Sequence, residues 1–356
     1  MKESKSKYLL NILLIIALTA FAMWFALKDN FNEVMNLLSN IKIYQIIVII
    51  IWGIFYYVVI GWIILILSRR YKKDYRLKDG IIVAFIGGFF SGITPSATGG
   101  QFAQAYIFKK QGIKISDGAS ILWIDFIIYQ SVMMLYVSIL MLLRFTYYYN
   151  MSSPFFILVL LGFIVNGIII AALWTMAKFP KLYIKLSGLA VKLLFKVHIV
   201  KDMDTTLSAW TAQLSSFTYE INKVKNDKKM ILKAVVVNVI RLTLYFALPY
   251  YIFSIVGATI DISLLLDVIA MSSFVSMVNA FFPVPGASGG TEGTFILIFG
   301  NVFPMIYCSS VMILWRFATY HMILIIGSIM FIAVKSYYKK KELIEKNLEL
   351  EDHTCV

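Results

Sequence analysis

Four charged residues stand inside long apolar runs of this sequence: Asp125, Arg241, Glu292 and Arg316. A charge at bilayer depth must pair with another group or line a polar cavity, so each marks a candidate site. Near them lie two blocks rich in Pro, Gly and hydroxyl residues. Pro95-Ser96-Ala97-Thr98-Gly99-Gly100-Gln101 recurs as Pro285-Gly286-Ala287-Ser288-Gly289-Gly290-Thr291, keeping the Pro, the Ala and both Gly, with a hydroxyl at Thr98 and Ser288. Pro removes a backbone donor, and paired Gly permits open turns where backbone can approach a ligand. A helix restarting after such a break offers free N–H groups and a positive dipole end, suited to phosphate or carboxylate. Thr94, Ser96, Thr98, Gln101, Gln104 and Ser288 add neutral hydrogen-bonding groups, and Gly99, Gly100, Gly289 and Gly290 are where the backbone could reach a headgroup. We expect Arg316 and Arg241 to contact phosphate, with Glu292 as counter-charge or proton site and Asp125 as charge partner in the first half. Tyr320 and His321 extend the polar patch that begins at Arg316. Buried structural ion pairs and tight packing turns are the alternatives.

Other chemistries find no footing. Cys308 and Cys355 share no metal spacing, and His198, His321 and His353 are isolated from one another. There is no Walker A sequence, HExxH, nucleophile elbow or dinucleotide fingerprint. The expectation is no catalytic residue, no metal and no cofactor.

These residues sit in a chain of 356 residues that is 60% hydrophobic and 15% charged, far more apolar than a soluble domain. Full spans are expected near 8–27, 44–67, 118–143, 155–177, 231–256 and 305–334, each long enough for a hydrocarbon core of about 30 Å. Ala20-Phe21-Ala22 faintly resembles a signal-peptidase site, but its run is too long for a signal peptide and is read as a retained span. Two more apolar stretches, 81–110 and 264–300, are interrupted by the Pro/Gly blocks. If each is a re-entrant hairpin, the N-terminus, Arg69–Lys78, Lys109–Lys114, the loop 178–230 and the tail from Lys335 share one side. Only Lys28, Lys42 and Arg144 then fall opposite, so the net charge of +14 obeys the positive-inside rule rather than indicating nucleic acid. This gives an all-α polytopic protein of the cell (inner or plasma) membrane with both termini cytoplasmic.

The same parts surround both blocks: two spans, a broken hairpin, one span. The halves 1–150 and 151–335 thus form an inverted repeat within a single membrane domain, followed by a tail 336–356. Inverted repeats with broken helices meeting near the midplane are a common build of secondary transporters. In the loop, Met203, Leu207, Trp210, Leu214, Phe217, Ile221 and Val224 make one apolar helical stripe. Lys181, Lys185, Lys192 and Lys196 share a helix with Leu182, Leu186, Leu189 and Leu193, which suits either an anionic membrane surface or a cap on the bundle.

Thr94 to Gln101 with Gln104-Ala105-Tyr106, Pro283 to Gly293, and Trp315-Arg316 with Tyr320 resemble the lysylphosphatidylglycerol synthase transmembrane family, the flippase-like membrane part of the multiple peptide resistance factor. The resemblance covers essentially the whole chain. It implies translocation of an aminoacylated phosphatidylglycerol such as lysylphosphatidylglycerol, or of a related anionic or polyprenyl lipid, with resistance to cationic peptides. In full-length relatives a separate cytoplasmic domain transfers lysine from lysyl-tRNA, and the expectation is that this sequence does not carry it. Many relatives carry a Glu-Arg pair where this chain has Ile124-Asp125. Two rivals remain: a membrane-embedded phosphatidylglycerol lysyltransferase using Glu292 as base, and a scaffold for a partner aminoacyltransferase or glycosyltransferase. The partners expected are a phosphatidylglycerol-type phospholipid, such a separate transferase, and a second copy of the chain; no nucleic acid is expected to bind this chain alone.

Overall fold

A computed structural model describes residues 31–151, 153–196, 202–224, 227–279 and 282–354. Among these the regular structure is helical throughout. The helices are α1 (Phe31–Ser39), α2 (Ile43–Ser68), α3 (Leu77–Ile93), α4 (Thr98–Lys110), α5 (Ile115–Leu143), α6 (Phe145–Tyr149) and α7 (Ser153–Lys178). They continue as α8 (Pro180–Lys196), α9 (Met203–Val224), α10 (Lys228–Ile255), α11 (Leu265–Asn279), α12 (Gly290–Phe299), α13 (Met305–Arg316) and α14 (Met322–Thr354). α2, α5, α7, α10 and the run from Met305 are long and apolar enough to cross a membrane, and they coincide with five expected spans. The sixth expected span, 8–27, lies outside the described residues. The protein is an all-α, multi-pass membrane protein, and Ile168, Leu232 and Ile332 are among the apolar side chains it turns outward.

Side-chain register sets the depth of each part. Trp52 Nε1 donates to the Leu244 carbonyl (2.8 Å), Arg241 Nε to Tyr56 Oη (3.4 Å), and Arg70 pairs with Asp227 at 3.9 Å. α2 and α10 are therefore antiparallel, and Tyr56 and Arg241, each halfway along its helix, mark the middle of the bundle.

α3 and α4 form a hairpin. Gly87 lies against the Gln104 side chain, Gly100 against Ser91, and Gly99 against Thr94, the register of two antiparallel arms. Both ends sit at one face, where the buried Gln111 accepts from Tyr75 Oη (2.6 Å) and donates to the Asp79 carbonyl (2.9 Å). With 13 residues α4 reaches only about 20 Å, short of a bilayer. Gly88 packs on Tyr57, which puts the tip near mid-depth.

The second hairpin, α11 and α12, enters from the opposite face. There the buried Asp267 is held by Arg144 Nη1 and Tyr148 Oη, both at 2.8 Å. α12 ends beside Phe253, close to the end of α10, with Phe253 and Phe299 ring centroids 5.5 Å apart. The stretch 262–279 is long enough by itself to count as a span. Its tip nevertheless stops level with the middle of α7, where Asn166 Nδ2 donates to the Met277 carbonyl (3.2 Å). The two hairpin tips pack on each other.

Within the loop 178–230 the described residues form two helices between α7 and α10. α8 and α9 pack on each other, and α9 rests on α5 and α7. Leu182, Leu186 and Leu189 remain exposed beside Lys181, Lys185 and Lys192. No break separates a tail from the last span, because α14 continues as helix to Thr354.

Candidate functional site

Each hairpin turns through the same uncommon backbone. Pro95 opens a turn in which Ser96 and Ala97 take positive φ (51° and 56°); Pro285 opens one in which Gly286 and Ala287 do so (59° and 48°). Positive φ at a side-chain-bearing residue costs on the order of 1–3 kcal/mol and persists only where the surroundings impose it. The two breaks diverge afterwards. α4 restarts at Thr98, whereas Ser288 is extended and Gly289 takes φ 83° before α12 starts at Gly290.

The second break is closed by its own charges. Arg316 Nε meets Glu292 Oε1 at 2.8 Å, and Glu292 Oε2 accepts the Gly289 N–H at 2.7 Å. Arg316 Nη2 also reaches the Gly286 carbonyl (3.2 Å) and Ser288 Oγ (3.4 Å), and the guanidinium lies 4.1 Å over the Tyr320 ring. Glu292 and Arg316 are only 3% and 6% exposed. A π-helical segment, Phe317–His321, interrupts the last span directly after Arg316, an irregularity frequent at functional positions. Tyr320 Oη donates to the Gly92 carbonyl (3.1 Å) and its ring covers Gly286, tying the two breaks together. Glu292 thus stands where a free N-terminal donor was expected to meet a ligand.

The first break leaves charge open. A cavity of about 510 Å³ is lined by Ser96, Thr98, Gln101, Gln104, Asp125 and Arg241, with walls from Tyr56, Tyr57 and Tyr129. The Arg241 guanidinium lies 4.3 Å over the Tyr129 ring and 5.7 Å from that of Tyr56. Asp125 Oδ1 is buried and has no hydrogen-bond partner among the described residues. No ion pair joins Asp125 to Arg241 among the described residues, although both face one cavity. With Nε directed to Tyr56 Oη, the terminal guanidinium nitrogens stacked on the rings remain suited to a bidentate acceptor such as phosphate.

The expected site residues therefore separate into groups. Ser96, Thr98, Gln101, Gln104, Asp125 and Arg241 come together in this cavity. Ser288, Gly289, Glu292, Arg316 and Tyr320 form the clamp on the second break. Thr94 serves its own turn, accepting the Gly99 N–H (2.9 Å) and donating to the Phe90 carbonyl (2.7 Å). Gly99, Gly100 and Gly290 are packing contacts: a Cβ at Gly100 would strike Ser91 and the Gly87 carbonyl, and one at Gly290 the Phe282 ring. Sequence reasoning missed the tyrosines around Arg241 and the Arg144–Asp267 lock.

A family model matches residues 10–327 of the chain, which include both hairpins and Arg316. The chain belongs to the lysylphosphatidylglycerol synthase TM region family. No curated protein matches the sequence significantly. Membership makes the function one of membrane lipid metabolism, with a membrane phospholipid as the natural partner. Within this lysylphosphatidylglycerol synthase TM region, the cavity around Arg241 lies near the mid-depth of the bundle.

Proposed function

We propose that the chain moves an aminoacylated phosphatidylglycerol such as lysylphosphatidylglycerol, or a related anionic or polyprenyl lipid, between the leaflets of the cell membrane. One observation carries this reading. At mid-depth, between two opposed hairpins, Arg241 and Asp125 face one cavity, and among the described residues no ion pair within contact distance joins them. Arg241 takes the lipid phosphate on its terminal guanidinium nitrogens, and Asp125 takes the ammonium of the aminoacyl group. Ser96, Thr98, Gln101 and Gln104 replace water around the glycerol, while the acyl chains stay in lipid. A charged headgroup without such partners would face several kcal/mol of desolvation. Charge bias along the chain supports a cytoplasmic location for the face bearing Arg69 and Lys109, with both termini on that side. The matched turn backbones at Pro95 and Pro285 support the halves as inverted repeats. A transferase using Glu292 as base draws no support, since both its carboxylate oxygens are engaged.

The test is reconstitution of the chain into liposomes carrying headgroup-labelled lysylphosphatidylglycerol, phosphatidylglycerol or phosphatidylcholine in one leaflet. Leaflet exchange should accelerate for the aminoacylated lipid. Exchange no faster than in protein-free liposomes, for every headgroup, refutes the reading.

A further inference from the structure

A larger recess than the central cavity opens on the outside of the bundle. It is a groove of about 750 Å³ between α2 and α10, at the face bearing Arg69. Because the two helices are antiparallel, both present the same sequence of chemistry with depth. On α2 and the turn that ends it, the order from the face inward is Arg70 and Arg69, then Ile66 and Leu65, then Trp62. On α10 it is Lys229 and Lys233, then Val236, then Ile240. Residues three and four apart on a helix share one face, so these line a continuous wall rather than scattered positions. The mouth is cationic and the interior apolar, with Trp62, Leu232, Val236 and Ile240 exposed along it.

The single acid at the mouth does not neutralise it. Asp227 caps α10 by accepting the Met230 N–H (3.1 Å) and lies 3.9 Å from Arg70. Arg69 Nε donates to the Tyr75 carbonyl (3.2 Å). Lys229 and Lys233 are exposed and carry no ion pair among the described residues. The groove opens outward between two helices long and apolar enough to cross a membrane. Its apolar wall runs about 10 Å inward from Arg69 to Trp62, which accommodates the upper part of an acyl chain beneath a headgroup at the mouth.

We propose that this groove is a binding site for an anionic diacyl phospholipid of the leaflet at that face, with the phosphate at Lys229 and Lys233 and an acyl chain along Trp62, Val236 and Ile240. The site is separate from the Arg241 cavity and does not rest on the translocation reading. It selects net-negative lipids over zwitterionic ones, because its free charges are all cationic. Basic recesses between spanning helices are suited to anionic headgroups, each lysine near the surface being worth about 1 kcal/mol, or about fivefold in affinity.

The test uses the full chain in phosphatidylcholine bilayers doped with phosphatidylglycerol brominated on its acyl chains, which quenches nearby tryptophan. The Trp62 signal is isolated as the difference between the wild type and Trp62→Phe. Brominated phosphatidylglycerol should quench it several-fold more effectively than brominated phosphatidylcholine. The variant Lys229→Gln/Lys233→Gln should lose at least about fivefold of that preference. Lys339→Gln/Lys340→Gln removes equal charge beyond the last span and should retain it. Equal quenching by both lipids in the wild type overturns the site. So does unchanged preference in the groove variant, or an equal loss in the control variant, which would reduce the effect to general surface potential.

Discussion

Replacing Arg316 by Met tests whether its charge belongs to the fold or to a ligand. In the wild type the guanidinium satisfies Glu292 at 2.8 Å, the Gly286 carbonyl and Ser288 Oγ, and it covers the Tyr320 ring at 4.1 Å. Arg316→Met leaves the Glu292 carboxylate 3% exposed with only the Gly289 N–H for compensation. Removing one partner of a buried pair costs about 3–5 kcal/mol. Glu292→Gln should cost less, because an amide oxygen can still accept from Gly289 and Arg316 keeps its other contacts. The double variant removes both charges, so its loss should fall short of the sum of the singles by about 1–3 kcal/mol. At roughly 2–4 °C per kcal/mol, Arg316→Met should lower the melting temperature by about 10 °C. Thermal unfolding in detergent, followed by size-exclusion of the surviving fraction, reads this directly. Arg316→Met and Glu292→Gln with wild-type melting temperatures but no lipid movement would refute the clamp and return Arg316 to the role of phosphate contact.

Asp125→Asn and Arg241→Gln should each slow translocation of an aminoacylated lipid by about tenfold or more, the value of one charge-assisted contact, with little change in melting temperature. A large stability loss and unchanged rates in the surviving protein would make them structural. Gly100→Val should destabilise the first hairpin through collision with Ser91 and the Gly87 carbonyl, seen as lower yield of monodisperse protein, whereas wild-type yield and melting temperature would contradict the packing role. In a cysteine-free background Lys114→Cys should label only from the cytoplasm and Tyr149→Cys only from outside. Reversed or two-sided labelling would overturn the assigned orientation.

Hydropathy was enough to locate five described spans, because an apolar run of about 20 residues in lipid must satisfy its backbone within itself as helix. The breaks were equally legible, since Pro95 and Pro285 act on their own backbone. The pairing of charges was not. Arg241 and Arg316 look alike in sequence, each an Arg inside an apolar span. Tertiary packing brings Glu292 onto Arg316 and closes that site, while it gives Arg241 the Tyr56 hydroxyl and the rings of Tyr56 and Tyr129. Gly100 likewise reads as room for a ligand until the other arm, with Ser91, is found filling it. Asp267 passed unnoticed because its partners, Arg144 and Tyr148, are far away in sequence and meet it only through the second hairpin. Backbone satisfaction and local stiffness act between near neighbours and are written along the chain. Charge compensation depends on which side chains share a few ångströms of low-dielectric space, and only the packed bundle decides that.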